Sequence, residues 1–353
     1  MNPPGLLPST ILRMPFPDPP TGPGRASSVD RPAETDRAQS ANDPFATSRR
    51  SPLVVIVGPT AVGKTEIAVQ LAERLDGEIV SADSRLFYRG MDIGTAKPTD
   101  YEQARVPHHL IDVADPDEVW SLVDFQGAAR RAIAGIDMRQ RLPFLVGGTG
   151  QYIRAVIEGW QVPPAAPDPR VREALESWAA EVGAQGLHTR LAVLDPVAAG
   201  QIDFRNIRRT VRALEVILRT GRRFSDQRRR GHSPYRSLLL GLTRPRSELY
   251  ARIDSRIKTM LEAGLVLEVQ TLLEKGYSPD LPTLSAIGYR EMIDYLQGEI
   301  SIEEAVVRMK RRTRQFVRRQ ANWFKEDDPA IRWFRVGSQS VVEMAAVIRD
   351  FLG

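Results

Sequence analysis

The clearest pattern in the chain is a series of short apolar runs separated by segments of helical periodicity. Residues 53–57 (LVVIV) are apolar and mostly β-branched, which is typical of a strand buried on both faces of a parallel sheet. Apolar residues recur at helical spacing over 64–75, and 77–83 and 142–146 predict two further strands. Strands that alternate with helices in this way predict an α/β fold built on a parallel sheet.

The first predicted strand leads directly into a glycine-rich motif. Residues 58–65 read GPTAVGKT, which matches G-x-x-x-x-G-K-[ST] between a strand and a helix. In this motif the glycines let backbone N–H groups face phosphate oxygens, and the lysine neutralises the phosphate charge. The hydroxyl of the final Ser or Thr binds Mg²⁺. We therefore predict Mg²⁺ as cofactor, Thr65 as its ligand, and a polyphosphate loop made of Gly58, Pro59, Thr60, Ala61, Val62, Gly63, Lys64 and Thr65.

Asp83 comes at the end of the second predicted strand. The carboxyl ends of parallel strands open onto one crevice, so Asp83 is a candidate general base close to Lys64. A turn or helix-cap role is the alternative, because aspartate is common where strands end. The strand 142–146 leads into 147–150 (GGTG) without the acidic residue that ATPase motors carry there, which favours group transfer. These glycines either admit a ligand or pack a helix on the sheet.

The rest of the chain divides by composition. Residues 1–50 hold ten of the 26 prolines without apolar periodicity, so we expect a disordered Pro-rich tail. A catalytic core over 51–160 is followed by a small helical insertion domain over 161–203, and 204–353 continues the core with a basic helical region. The predicted fold class is α/β: a P-loop NTPase-like parallel-sheet core with a small helical insertion domain and a helical C-terminal region.

Composition and charge limit the kinds of site and partner that the chain can have. The 353 residues are 42% hydrophobic and 26% charged, as in soluble globular proteins, and the chain has no cysteine for a disulfide or thiolate site. The net charge of +5 conceals two basic stretches: 202–230 has ten arginines and three acidic residues, and 301–325 has eight basic and two acidic residues. One such stretch is usually a solvated face. Two arginine-rich stretches beside a phosphate site favour nucleic acid, because guanidinium groups pair well with phosphates.

The second basic stretch also has the periodicity of a half-buried helix. Its predicted buried seam is Val306, Met309, Thr313, Phe316, Gln320 and Phe324.

Several blocks of the sequence resemble the bacterial tRNA dimethylallyltransferase family. They are the loop 58–65, SADS at 81–84 with 88–98, PHHLID at 107–112 with 115–116, VGGT at 146–149, RALEV at 212–216, RIDSR at 252–256, IGYRE at 287–291, and TRQ at 313–315 with 319–320 and Trp323. The resemblance covers residues 53 to 335, and several of these blocks are more specific than the phosphate loop alone.

This resemblance implies transfer of a dimethylallyl group from its diphosphate to N6 of the adenine at tRNA position 37, in tRNAs that read codons beginning with U. The phosphate loop then holds the diphosphate of the prenyl donor. Asp83 matches the family's general base, and Thr60 and Arg256 match residues at the diphosphate or the reacting region. Adenine in a stacked anticodon loop has to be flipped out to reach such a site.

The resemblance also implies the partners. We expect dimethylallyl diphosphate, the anticodon stem-loop of tRNA, no membrane, and a cytoplasmic monomer. The residues expected to contact tRNA are Asp83, Ser84, Arg85, Leu86, Thr149, Arg172, Arg208, Arg209, Arg212, Ile287, Gly288 and Tyr289. Two other classes stay open: a P-loop nucleoside or small-molecule kinase, with Asp83 activating a hydroxyl, and a non-enzymatic RNA-binding P-loop protein.

Overall fold

A computed structural model of the chain describes residues 50–161, 168–227 and 231–353. The tail predicted over 1–50 falls outside the described residues except at its last position. The strands are β1 (Ser51–Val57), β2 (Gly77–Ser81), β3 (His108–His109), β4 (Leu142–Val146), β5 (Tyr235–Thr243) and β6 (Ile331–Arg335). The helices are α1 (Lys64–Arg74), α2 (Asp100–Arg105), α3 (Leu122–Met138), α4 (Gly150–Ile157), α5 (Pro169–Leu194), α6 (Pro196–Gln201), α7 (Ile207–Thr220), α8 (Phe224–Gln227), α9 (Arg246–Glu262), α10 (Leu265–Glu274), α11 (Tyr289–Leu296), α12 (Ile302–Ala321) and α13 (Ser340–Leu352).

Within the described residues the strands form one parallel sheet of six, in the order β3-β2-β4-β1-β5-β6. In the central strand, β1, Val55 pairs with Leu145 of β4 and Leu239 of β5. Residues 53–57 are fully buried, and alternate side chains enter two hydrophobic clusters on opposite faces of the sheet. The predicted parallel α/β sheet is therefore confirmed, with apolar runs because both faces are covered.

Parallel pairing brings the loops after β1, β2, β4 and β5 to one edge of the sheet. β2 ends at Ser81, two residues earlier than predicted, so Asp83 lies in the loop and not in the strand. The loop after β1 carries the phosphate motif, and the loop after β4 carries Gly147 and Gly148, with Gly150 beginning α4. The sheet topology thus assembles the predicted site from segments far apart in sequence.

Helices α5 to α7 share a hydrophobic cluster of their own, separate from the two sheet clusters. Helix α5 is interrupted at Gly183, whose φ of 75° and ψ of 166° are not helical, so it consists of two helical segments. The fully buried Glu215 links the cluster's ends: it accepts from Asp168 N (2.6 Å), Arg172 Nε (3.1 Å) and Arg212 Nη1 (2.7 Å). The cluster extends beyond residue 203, so the packing favours a later end for the insertion, and the boundary there stays a prediction.

The predicted C-terminal basic helix is α12. Its buried side includes Met309 and Gln320, which are 1% and 7% exposed, while Arg311, Arg318 and Arg319 are exposed. The helix contacts α9 and α11, and it ends at the loops that follow β1 and β4. Burial on one side thus brings the end of a basic helix to the phosphate loop.

Candidate active site

The phosphate loop turns tightly between β1 and α1. Gly63 has a φ of 104°, in the left-handed region that favours glycine. A Cβ at Gly58 would lie 2.7 Å from the Leu242 carbonyl oxygen, so the loop needs glycine there to approach β5. Lys64 begins α1, and its Nζ donates to the carbonyl oxygens of Gly58 (3.0 Å) and Pro59 (2.9 Å). The loop therefore has the form expected of an anion cradle.

Buried cationic side chains lie at this loop. Burial lowers the pKa of Lys64 to about 8, although Asp83 opposes the shift and Arg256 adds to it. Burial and the neighbouring Arg252 also lower the pKa of Arg256. Charged groups that are this costly to bury are expected where a negatively charged ligand compensates them.

Two cations at the loop were not among the residues predicted for the site. Arg244 Nε donates to the Val62 carbonyl oxygen at 2.9 Å, and Arg252 Nε donates to that of Ala61 at 2.9 Å. A Cβ at Gly63 would lie 3.9 Å from the Nη2 atoms of both. Arg252 stands one helical turn before Arg256 in the block RIDSR, and this spacing is the signal that could have identified it.

A cavity of about 470 Å³ collects the predicted catalytic residues. Thr60, Asp83 and Arg256 all line it, although they come from the loop after β1, the loop after β2 and helix α9. The predicted tRNA contacts that line the same cavity are Ser84, Arg85, Thr149 and Ile287. The structure therefore brings the predicted base, the two residues predicted at the diphosphate or the reacting region, and four of the predicted RNA contacts to one cavity.

The loop that carries Asp83 is held by its own hydrogen bonds. Arg85 N donates to Asp83 Oδ1 at 3.0 Å, so the predicted alternative of a turn role is also observed. A carboxylate accepts several hydrogen bonds, and the turn leaves a catalytic role open to it. Ser84 N donates to Thr149 Oγ1 at 3.4 Å, and Arg85 Nη1 donates to the Thr283 carbonyl oxygen at 3.1 Å.

The glycines after β4 serve close packing and also line the cavity. A Cβ at Gly148 would lie 2.2 Å from Gln320 Nε2, and one at Gly150 would lie 2.3 Å from Trp323 Cβ. A side chain at Gly150 would push the end of α12 away from the sheet, whereas a Cβ at Gly148 meets only the movable end of the Gln320 side chain. Because Gly148 and Gly150 also line the cavity, the two predicted roles for this loop coexist.

The Tyr289 side chain lies apart from this cavity. It is fully buried, and its hydroxyl donates to Glu268 Oε1 at 2.6 Å. Burial, followed by the nearby Glu268 carboxylate, raises its pKa. The side chain is therefore part of the core in this structure, and an RNA contact at this position stays a prediction. Gly288 is also buried, so Ile287 is the accessible member of this segment.

Other predicted RNA contacts lie outside this cavity. Arg208 and Arg209 are exposed on α7, whereas Arg172 and Arg212 both bond the buried Glu215. Leu86 is half-buried in the Asp83 loop. These four arginines of α5 and α7 thus divide into an exposed pair and a pair that also stabilises the helices.

Thr65 suits a magnesium ion held mainly by substrate. In the described ranges no cluster of three or more His, Cys, Asp or Glu residues could hold a metal. Mg²⁺ with a nucleotide or diphosphate ordinarily uses few protein oxygens together with phosphate oxygens and waters. The Thr65 hydroxyl at the start of α1 fits that donor set, and the magnesium site stays a prediction.

Protein-family models match most of the described chain. One, described as IPP transferase, matches residues 86–327, and another, described as isopentenyl transferase, matches residues 51–112. The chain belongs to the IPP transferase family. The IPP transferase match begins three residues after Asp83 and extends past the end of α12.

Alignments with individual relatives cover most of both chains. A tRNA dimethylallyltransferase of Roseiflexus sp. (strain RS-1) is 52% identical over 85% of this chain and 99% of its own. The crystal structure of a tRNA isopentenylpyrophosphate transferase from Bacillus halodurans is 44% identical, with a TM-score of 0.65 over 86% of this chain and 97% of its own. A eukaryotic dimethylallyltransferase described as acting on tRNA has a TM-score of 0.73 at 26% identity, over 86% of this chain and 79% of its own.

These matches confirm the predicted family and its α/β fold. Across the described ranges, every helix is too short or too polar to cross a membrane.

Proposed function

We propose that this IPP transferase family member is a tRNA dimethylallyltransferase. It transfers the dimethylallyl group of dimethylallyl diphosphate to N6 of adenine at tRNA position 37, in tRNAs that read codons beginning with U. The observation that carries the proposal is the shared cavity of Thr60, Asp83 and Arg256 beside the phosphate loop, which supplies a base and cations in one place. The relatives named above support this activity over the kinase and RNA-binding alternatives.

Asp83 acts as the general base for a weak nucleophile, the adenine amine. The lone pair of the adenine amine is delocalised into the ring, so a carboxylate that accepts its proton assists attack. The new bond joins N6 to the first carbon of the dimethylallyl group, and the bond from that carbon to the diphosphate oxygen breaks. Asp83 receives the proton, and the bonding electron pair leaves with diphosphate.

The phosphate loop and its cations stabilise the leaving group. Lys64 lies at the loop, Arg256 lines the cavity, and Arg244 and Arg252 bond the loop backbone. Preorganised positive charge of this kind favours the transition state as charge develops on the diphosphate oxygen. Magnesium at Thr65, when bound, would neutralise further phosphate charge.

For tRNA, we infer a surface formed by the exposed arginines of α12 and α7. Arg311 and Arg318 are exposed on α12, and Arg208 and Arg209 are exposed on α7. Arg314 has a different role, because its Nη2 bonds both carboxylate oxygens of Asp254 at 2.9 Å. Adenine 37 would leave its stack to reach Asp83. We further infer that the enzyme acts in the cytoplasm as a monomer.

The test is incubation with unmodified tRNA, Mg²⁺ and dimethylallyl diphosphate, followed by mass analysis of the nucleosides. The proposal predicts an adenosine that carries one dimethylallyl group in place of an N6 hydrogen. Unmodified tRNA as the product would overturn it. Thermal protection by ATP but not by dimethylallyl diphosphate would instead support the kinase alternative.

A further inference from the structure

Gln320 makes a polar link at the centre of the site. It stands in the last turn of α12 and is 7% exposed. Its Oε1 accepts a hydrogen bond from Thr60 N at 2.8 Å, and its Nε2 donates to the Gly148 carbonyl oxygen at 3.2 Å. One side chain therefore bridges the phosphate loop and the glycine loop after β4.

The bridge also stands between two cavities. Gln320 and Gly148 line both the cavity that contains Asp83 and a second cavity of about 590 Å³. The second cavity is bordered by Gly58 and Pro59 of the phosphate loop and by apolar residues such as Leu249. Gln320 thus contacts the loop at the boundary between the two cavities.

The Thr60 N–H belongs to the group of donors that a phosphate loop presents to its ligand. Such loops bind phosphate through successive backbone N–H groups. An N–H group forms one strong hydrogen bond at a time, so a diphosphate oxygen that takes this donor has to replace Gln320 Oε1. An ionised oxygen is the stronger acceptor, which lets the exchange proceed.

We propose that Gln320 is a positioning residue that competes with the donor's diphosphate for the Thr60 N–H and is displaced when the donor binds. The inference rests on the proposed function, because it takes the phosphate loop as the diphosphate site. Removing the competing acceptor therefore tightens diphosphate binding, whereas a purely structural bridge would weaken binding or leave it unchanged when removed.

The experiment measures binding of inorganic diphosphate with Mg²⁺ by calorimetry, using the full chain. Gln320→Met keeps most of the side-chain volume and removes the acceptor. Loss of one neutral hydrogen bond shifts an equilibrium roughly 2- to 10-fold, so the variant is expected to bind diphosphate tighter by that factor. Gln315→Met, at an exposed position of the same helix, is the matched control and is expected to bind like the unaltered chain.

A second variant tests the proposal if the first does not fold. Gly148→Ala places a Cβ 2.2 Å from Gln320 Nε2, which is the movable end of a side chain, and is expected to tighten binding in the same direction. Gln320→Glu keeps the acceptor and adds a negative charge, so it is expected to weaken binding. Unchanged or weaker binding by Gln320→Met, or by Gly148→Ala should the first variant not fold, would overturn the proposal.

The outcomes also separate this inference from the proposed function. Diphosphate binding that tightens in Gln320→Met, in a chain that transfers no prenyl group to tRNA, would overturn the function and leave the competition intact. Prenyl transfer by the unaltered chain, with unchanged diphosphate binding in Gln320→Met, would support the function and overturn the competition. Failure of the unaltered chain to bind diphosphate would overturn both.

Discussion

Lys64 gives the site a pH dependence that follows from its surroundings. Burial lowers its pKa from the ordinary value of 10.5 to about 8, because the ammonium loses hydration in the site. The neutral amine therefore becomes the main form above that pH, whereas an exposed lysine would stay charged. If dimethylallyl diphosphate binds only the charged form, its affinity falls about tenfold from pH 7 to pH 9, as expected for a single titrating group.

The assay is equilibrium binding of dimethylallyl diphosphate with Mg²⁺ across this range. Lys64→Arg is the matched control, because a guanidinium stays protonated throughout and its profile should not show the fall near pH 8. The reasoning would be refuted by a flat profile in the unaltered chain, or by an equal fall in Lys64→Arg.

Two further predictions concern stability and RNA binding. Glu215→Leu leaves two arginines and a backbone N–H without their shared buried acceptor; since the arginines are partly exposed, we expect a loss of about 2–3 kcal/mol in the free energy of unfolding, measured by denaturant titration. A midpoint within error of the unaltered chain would contradict this. Arg311→Gln with Arg318→Gln should weaken tRNA binding and reduce the slope of log affinity against log salt by about 2. Arg314→Gln should mainly lower stability, since its partner is Asp254, and an equal change of slope in that variant would contradict the assignment.

The sequence predicted those features that depend on local pattern. The apolar run 53–57, the phosphate loop and the helix α12 follow from periodicity and a spaced motif, and the structure has all three. Asp83 could be placed at the right edge of the sheet because parallel strands point their carboxyl ends the same way. The family resemblance added the reaction and the RNA contacts, which periodicity and spacing do not contain.

Tertiary contacts explain what the sequence left out. Arg244 and Gln320 stand far from the phosphate loop in sequence. Arg244 reaches the loop because it follows β5, which pairs with β1, and Gln320 reaches it because α12 ends at the loops after β1 and β4. Tyr289 was placed among the RNA contacts because its segment matches the family, yet its ring faces the core and its hydroxyl bonds Glu268. A segment's match does not show which way each of its side chains points.

The central claim is that Asp83 accepts the proton from the adenine amine. The most direct measurement is the single-turnover rate of prenyl transfer to tRNA by Asp83→Asn, whose amide oxygen still accepts the hydrogen bond from Arg85 N. Loss of a general base predicts a rate lower by roughly 10²- to 10⁴-fold, with tRNA binding preserved. A near-normal rate would contradict the account.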